Sequence, residues 1–591
     1  MKLGWHTCLC AVVGVGTVAA CGSLSSSGNG GSLSSAPELP SGNDQGGFGA
    51  ASGAGGTFSI GSPSADAGVV LPPETETKAS FQLPQAGQHY VYVANPDGDT
   101  VAVIDAATLA IQTVEAGDQP RYLQTLAGTD SAVVLNVGSN DATIIRTVNG
   151  VSTTSSVKVQ QGSNAIAVAP DGKHAVAYFD ETLASPTDQP GSFQDLTVVS
   201  LDAAGDTSTP MTVGFRPSAV FFSDDGAKGF VVTQAGVSVL DFADIEKNGA
   251  SIAQTIALGA APTDQSALDV SVTGDGKYAL AREENGSELR LVDLSTGTIA
   301  TLDLSKIPLP PPGDAGAPGD AGPSRAPDGG ARPGDAGTPP PPAPANAIVT
   351  DLDLAPSSAY AMAVVRDRSA VLRIPIPGAF GGDPSQVTTT VVPNEIIGSV
   401  TLSPGGHYAL LYTTAVPTYE RLTILDLTTS APPRTIQLEK SVEAIAISPD
   451  DQTALVVHQK LDGDPNETGI DLGTKLDRQY GYSVVAIAAG FPKLEVTAAP
   501  LGPFAAVPDG SHLFILFNAL GLHQVDDVDL RSLLIATLEL GSPPVSVGPV
   551  PATNRVFVGQ DHTDGRISFI DWTTGAIQSV TGFELNSRIR Q

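Results

Sequence analysis

Apolar and polar residues alternate along most of this chain, in short runs that recur as a set. "SNAIAVAPDGKHAVAYFD" (163–180) shows the unit: an alternating run, an Asp-Gly turn and a second alternating run. "DLTVVSLD" follows as a third run ending in Asp, and a fourth run completes the set. Period-two alternation rich in Val, Ile, Leu and Thr predicts half-buried strands. Asp-Gly supplies the positive φ expected of a two-residue hairpin turn. The Asp after the third run, with Ser or Thr close behind it, predicts an Asx-type turn into the fourth strand.

Ten copies of this set begin near residues 79, 121, 163, 217, 267, 349, 399, 442, 502 and 545. Their third runs rhyme: "VAVIDAAT", "VSVLDFAD", "LRLVDLST", "LTILDLTT" and "ISFIDWTT". With one insert set aside, residues 81–585 allot about 46 residues to each copy, the size of a propeller blade. The fold class expected is therefore all-β, a β-propeller of four-stranded antiparallel blades. About ten repeats in a single ring are favoured, with a smaller ring of seven or eight blades plus extras as the alternative.

Two stretches lack the alternation. Residues 21–80 are rich in Gly and Ser, bury no apolar period and are expected to be a disordered tether with a reach of roughly 40–45 Å. Residues 307–346 are rich in Pro, Gly and Ala. Gly313, Gly316, Gly319 and Gly322 keep a period of three, a run too short for a collagen helix, so a disordered insert is expected there. Residues 586–591 are a short tail.

"YVYVANPDGDTVAVIDAATLAIQTV" (90–114) resembles the YVTN-type β-propeller repeat, with its Tyr-Val-x-Asn strand, polar loop and Val-x-Val-Ile-Asp-x-x-Thr run. The resemblance implies a propeller, and it places the chain near surface-layer and secreted binding proteins. It also implies kinship of fold with lactonases and quinoprotein-like subunits. Most rings of that family have about seven blades, so ten copies depart from it.

The N-terminus carries Lys2, an apolar stretch from about Leu9 to Ala20, and small residues before Cys21, the layout of a secretory signal. Val18-Ala19-Ala20-Cys21 resembles the lipobox of bacterial lipoproteins. That resemblance implies cleavage of 1–20, acylation of Cys21 and a membrane attachment through the lipid. Gly22 and Ser23 are not the Asp that retains some lipoproteins at the inner membrane, so the outer membrane is the expected address, on its periplasmic or outer face. The other cysteines, Cys8 and Cys10, fall inside the expected signal, so no disulfide or thiolate site is expected in the ring.

A net charge of -32 excludes a phosphate-backbone partner, because nucleic-acid binding rests on Lys and Arg. No cofactor and no metal site is expected. His89, His174, His407 and His512 follow equivalent turns of different copies, radiate around a ring, and are expected to be surface turn residues. His458 and His562 end or follow second strands of non-adjacent copies. Asp462, Asp464 and Asn466 start like a calcium loop, but Glu467 stands at the sixth position and Gly473 at the twelfth, where that loop needs Gly and Glu. The chain has no Gly-x-Ser-x-Gly elbow.

What remains is a rim of charge at the ends of second strands: Asp97, Asp99, Asp180, Glu181, Arg282, Glu283, Arg366 and Arg368. These are the candidate ligand-facing residues, with Arg366 and Arg368 the first expected contacts for a carboxylate or phosphate. The function expected is a lipid-anchored, non-catalytic binding or scaffold module, a monomer, whose ligand is a protein, a glycan or an envelope component. The alternatives are a lactonase-like hydrolase with its site in the central funnel, and a purely structural surface protein.

Overall fold

A computed structural model describes residues 75–76, 82–184, 190–202, 204–249, 251–258, 268–283, 287–310, 347–519, 521–583 and 589–590. Cys21, nearly all of the expected tether and residues 311–346 of the expected insert lie outside the described residues.

Ten antiparallel sheets follow one another along the chain, over 85–115, 120–158, 165–212, 219–257, 268–303, 349–391, 399–437, 442–497, 501–539 and 544–581. They are numbered blades 1 to 10. In each, the four strands pair in chain order, so the first is innermost and the fourth outermost. The four chain-ordered strands of each blade come from one continuous stretch of chain.

Ten hydrophobic clusters hold the blades together, one between each neighbouring pair. Tyr92, Val101 and Val103 of blade 1 pack on Ala132, Val134 and Ile145 of blade 2, and the series continues around to blades 9 and 10. The tenth cluster joins Phe557, Ile567 and Phe569 of blade 10 to Val91, Val93 and Ile104 of blade 1. The ring is therefore single, closed and ten-bladed. Alternation places one set of apolar side chains against each neighbouring blade, which is why the second and third strands are largely buried on both faces while the outermost strands stay exposed.

At the closing seam, Ala552 N–H donates to the Gln88 carbonyl (2.9 Å) and Arg555 Nη1 to the Ala106 carbonyl (2.6 Å). Beyond the ring, Thr75–Glu76 pairs antiparallel with Ile589–Arg590, bringing the end of the tether against the tail.

The expected turns hold with one change of type. In blade 3 the Ala169 carbonyl accepts from Gly172 N–H (2.9 Å) and Ala169 N–H reaches the His174 carbonyl (2.8 Å), so the loop has four residues rather than two. Gly172 takes the left-handed conformation (φ 67°), and Ser358 and Asp451 take it at the same place in blades 6 and 8. Where Asp closes a third strand and a fourth follows directly, it makes an Asx turn: Asp105 Oδ1 accepts from Ala107 and Thr108 N–H, and Asp571 Oδ1 from Thr573 and Thr574 N–H. Side-chain hydroxyls hold the carboxyls of Asp293, Asp426 and Asp571 below the usual range.

The alternation did not predict four features. A helix, Phe242–Asn248, N-capped by Asp241, stands between the third and fourth strands of blade 4. A second, Leu472–Asp477, N-capped by Asp471, fills the long loop of blade 8 that began like a calcium site. Ser251–Ile252 crosses from blade 4 to add a parallel fifth strand to blade 3. Ile307 is buried in the cluster between blades 5 and 6, with Leu309 packed on it, so blade 5 retains residues 307–310 that the sequence assigned to the insert.

Candidate functional site at the mouth of the ring

The loops joining second to third strands, and one blade to the next, lie at one face of the ring, here called the mouth. The innermost strands of blades 2, 6, 8, 9 and 10 each break register at their first residues, where they reach this face. Bulges concentrate where a sheet meets a rim or a site, because the extra residue bends the strand and re-aims its side chains.

Several rim candidates are engaged within the protein. Asp180 is only 5% exposed; its Oδ1 accepts from Thr182 N–H (2.8 Å) and Thr182 Oγ1 (2.6 Å), capping a short 3-10 turn, and burial pushes its carboxyl up. Glu181 pairs with Arg216 of blade 4 (2.9 Å). Arg282 is 6% exposed. Asp99 adopts a left-handed φ of 54° and its Oδ1 accepts from Gln119 N–H (2.9 Å), pinning the loop of blade 1 to the strand entering blade 2. Asp97 is exposed, its N–H held by Asn95 Oδ1 (3.2 Å). The side chain of Glu283 lies outside the described residues. Arg368 Nη1 donates to the Pro310 carbonyl (3.4 Å), and its Nε lies 3.2 Å from Asp367 Oδ2. Arg366 is half-buried against Gly398, and burial lowers its pKa.

The histidines are more than turn residues. His89 Nδ1 bonds Asp130 (2.8 Å), His174 Nε2 bonds Glu246 (3.1 Å) and His407 Nδ1 bonds Asp451 (2.6 Å), each carboxylate belonging to the next blade. His512 instead pairs with Asp527 of its own blade (2.7 Å). His174 is buried and stacked 4.3 Å from the Phe242 ring. His458 is buried too: its Nδ1–H donates to the Ser441 carbonyl (3.0 Å) and its Nε2 accepts from the Ser483 hydroxyl (2.7 Å). Burial holds it neutral, with its pKa lowered to about 4. Among the described residues no three of His, Cys, Asp or Glu gather as a metal-binding group.

Sequence reasoning missed two groups at the mouth. Phe179, Phe193 and Phe215 form an aromatic chain across blades 3 and 4, with ring centroids 5.5 and 5.7 Å apart. The Arg216 guanidinium lies 5.3 Å over the Phe215 ring, while Arg216 N–H donates to the Phe193 carbonyl (2.8 Å) and fixes the residue at φ 56°. Phe215 remains 42% exposed. The second group joins blades 6 and 7: the buried Glu395 takes the Tyr419 hydroxyl and Arg421 (2.9 Å), while Ile396 N–H donates to Tyr419 Oη (2.9 Å). Burial, then the Glu395 carboxylate, pushes the Tyr419 hydroxyl up to about 12.

A scan against known protein families finds no match, and a search of curated proteins finds none. Solved structures with a similar fold include "Kuenenia stuttgartiensis Hydrazine Synthase" (13% identity, TM-score 0.31), where the match covers 71% of this chain and 96% of that one. A eukaryotic initiation factor matches at 11% identity and TM-score 0.43 (88% and 98%). AztD from Citrobacter koseri matches at 12% identity and TM-score 0.35 (80% and 97%). At these scores the likenesses carry no inference about ligand, partner or chemistry.

Proposed function

We propose that this chain is a binding or scaffold module of a bacterial envelope. A lipid on Cys21 anchors it to the outer membrane, and the Gly/Ser-rich tether after it lets the ring stand off the bilayer. The lipobox and the YVTN-type repeat at 90–114 support that address, and a protein is the ligand class the mouth favours. The observation that carries the reading is the Phe215–Arg216 platform. An exposed aromatic with a guanidinium over its ring, backed by the half-buried Phe193 and the buried Phe179 and rimmed by Glu181, has the composition of an interface hot spot. Its backbone is pinned by Phe193, so little freedom is lost when a partner seats.

A photo-crosslinking residue placed at Phe215 in intact cells tests this. Discrete protein adducts are expected, lost when Arg216 is changed to Ala, and absent when the same residue replaces the exposed Leu534 on an outer strand. No adduct at 215, or equal adducts at both places, would overturn the reading. Turnover of lactones or esters by the purified chain would favour the hydrolase instead.

A further inference from the structure

Ten buried side-chain polar atoms among the described residues have no hydrogen-bond partner, and adjacent residues of one turn supply two of them, Arg366 Nε and Asp367 Oδ1; Arg368 Nε beside them has the Asp367 Oδ2 ion contact at 3.2 Å. A buried polar atom left unmet is costly, so two on adjacent residues require an explanation. The turn is not loosely held. Ser369 closes it in a left-handed conformation (φ 45°), its N–H donating to the Arg366 carbonyl (3.0 Å) and its hydroxyl to the Glu395 carbonyl (2.8 Å). Glu395 is in turn locked by Tyr419 and Arg421. The floor under the turn is thus rigid before any ligand arrives.

Arg366 and Arg368 differ. The Arg368 side chain is 12% exposed and held by Asp367 and the Pro310 carbonyl. Arg366 meets no carboxylate in the described residues. Its guanidinium lies against Gly398, where an added Cβ would stand 2.8 Å from Nη2 and 2.9 Å from Nε, so a side chain at 398 would displace it. In a chain with 62 acidic and 30 basic residues, a half-buried guanidinium without an anion is an open position. Beside it, Asp367 Oδ1 offers an unmet acceptor.

We propose that the turn 366–368, at the mouth between blades 6 and 7, binds a carboxylate that carries a hydroxyl or ammonium group next to it. The carboxylate takes the Arg366 guanidinium, a charge-assisted contact that a planar fork favours. The neighbouring donor satisfies Asp367 Oδ1. Arg368 positions Asp367 and does not itself need to touch the ligand. This site lies on different blades from the Phe215 platform and stands on separate observations, so either can fail without the other.

Calorimetric titration of the full chain at low ionic strength tests it, with tartrate as a hydroxycarboxylate, succinate as a carboxylate without the hydroxyl, and inorganic phosphate. Tartrate is expected to bind more tightly than succinate or phosphate. Arg366→Gln should weaken tartrate by about tenfold or more, the loss of one charge-assisted contact, and Arg366→Lys should retain part of the affinity. Gly398→Ala should weaken it too, by displacing the guanidinium. Asp367→Asn should erase the preference for tartrate over succinate. Variants are compared only where their melting matches wild type, with Asp97→Asn as the control. The proposal is overturned if wild type binds none of the three, if Arg366→Gln binds tartrate as well as wild type does, or if the preference survives Asp367→Asn.

Discussion

His458 shows how one side chain can set a pH limit on the whole ring. Its imidazole is sealed between the Ser441 carbonyl and the Ser483 hydroxyl, and burial lowers its pKa from 6.5 to about 4. Below pH 6.5 the unfolded chain takes up a proton at this residue, while the folded ring refuses it until about pH 4. Stability contributed by the neutral form is therefore present above the unfolded pKa and lost as pH falls from about 6.5 to about 4, by about 3 kcal/mol in all. Urea unfolding measured across that window should show this loss in wild type. His458→Gln should be less stable at neutral pH yet lack this part of the slope. An unchanged slope in the variant would mean that other groups carry it.

Between blades, the inner strands need a further device, because an innermost strand presents a free edge of N–H groups. Blade 6 answers this with two carboxylates on its own inner strand: Asp351 Oδ2 accepts from Val400 N–H and Asp353 Oδ2 from Leu402 N–H of blade 7, both at 2.8 Å and both buried. Changing either Asp to Ala strands a buried donor and should lower stability by about 1–3 kcal/mol in denaturant titration. Asn, which keeps an acceptor oxygen, should cost less. The two sites share one strand, so their effects should not simply add; equal costs for Ala and Asn would refute the edge-capping role. Such links explain what was and was not legible in the chain. Strands, Asx turns and ten copies are local patterns, and each reads off a few neighbouring residues. Which charges the mouth leaves open is not local. Glu181 finds Arg216, His89 finds Asp130 and His407 finds Asp451 across a blade boundary, so residue type alone could not distinguish an engaged side chain from a free one. A His at one turn with an acid about one repeat later was the available signal. The helix at Phe242–Asn248 escaped because its seven residues interrupt a strand pattern too briefly to establish a helical period.

The molecule as a whole joins a closed ring to a long N-terminal stretch that the described residues scarcely include. The copy count anticipated ten blades; closure did not follow from it, because the seam depends on contacts such as Arg555 with Ala106, which are 449 residues apart. If Cys21 is the lipid anchor, Cys21→Ser should release the chain from the membrane fraction into the soluble one while the ring keeps its melting transition. A variant that still sediments with membranes after a high-salt wash would refute the anchor. The four chain-ordered strands of each blade come from one uninterrupted stretch, and blade 10 meets blade 1 through side chains and hydrogen bonds rather than by lending a strand. A gene encoding such a ring can gain or lose a whole blade by in-frame duplication or deletion without rethreading the four-stranded sheets, the strand that blade 4 lends to blade 3 being a link that such a change at those two blades would cut. The number ten is then a heritable variable, open to change wherever the seam can close again.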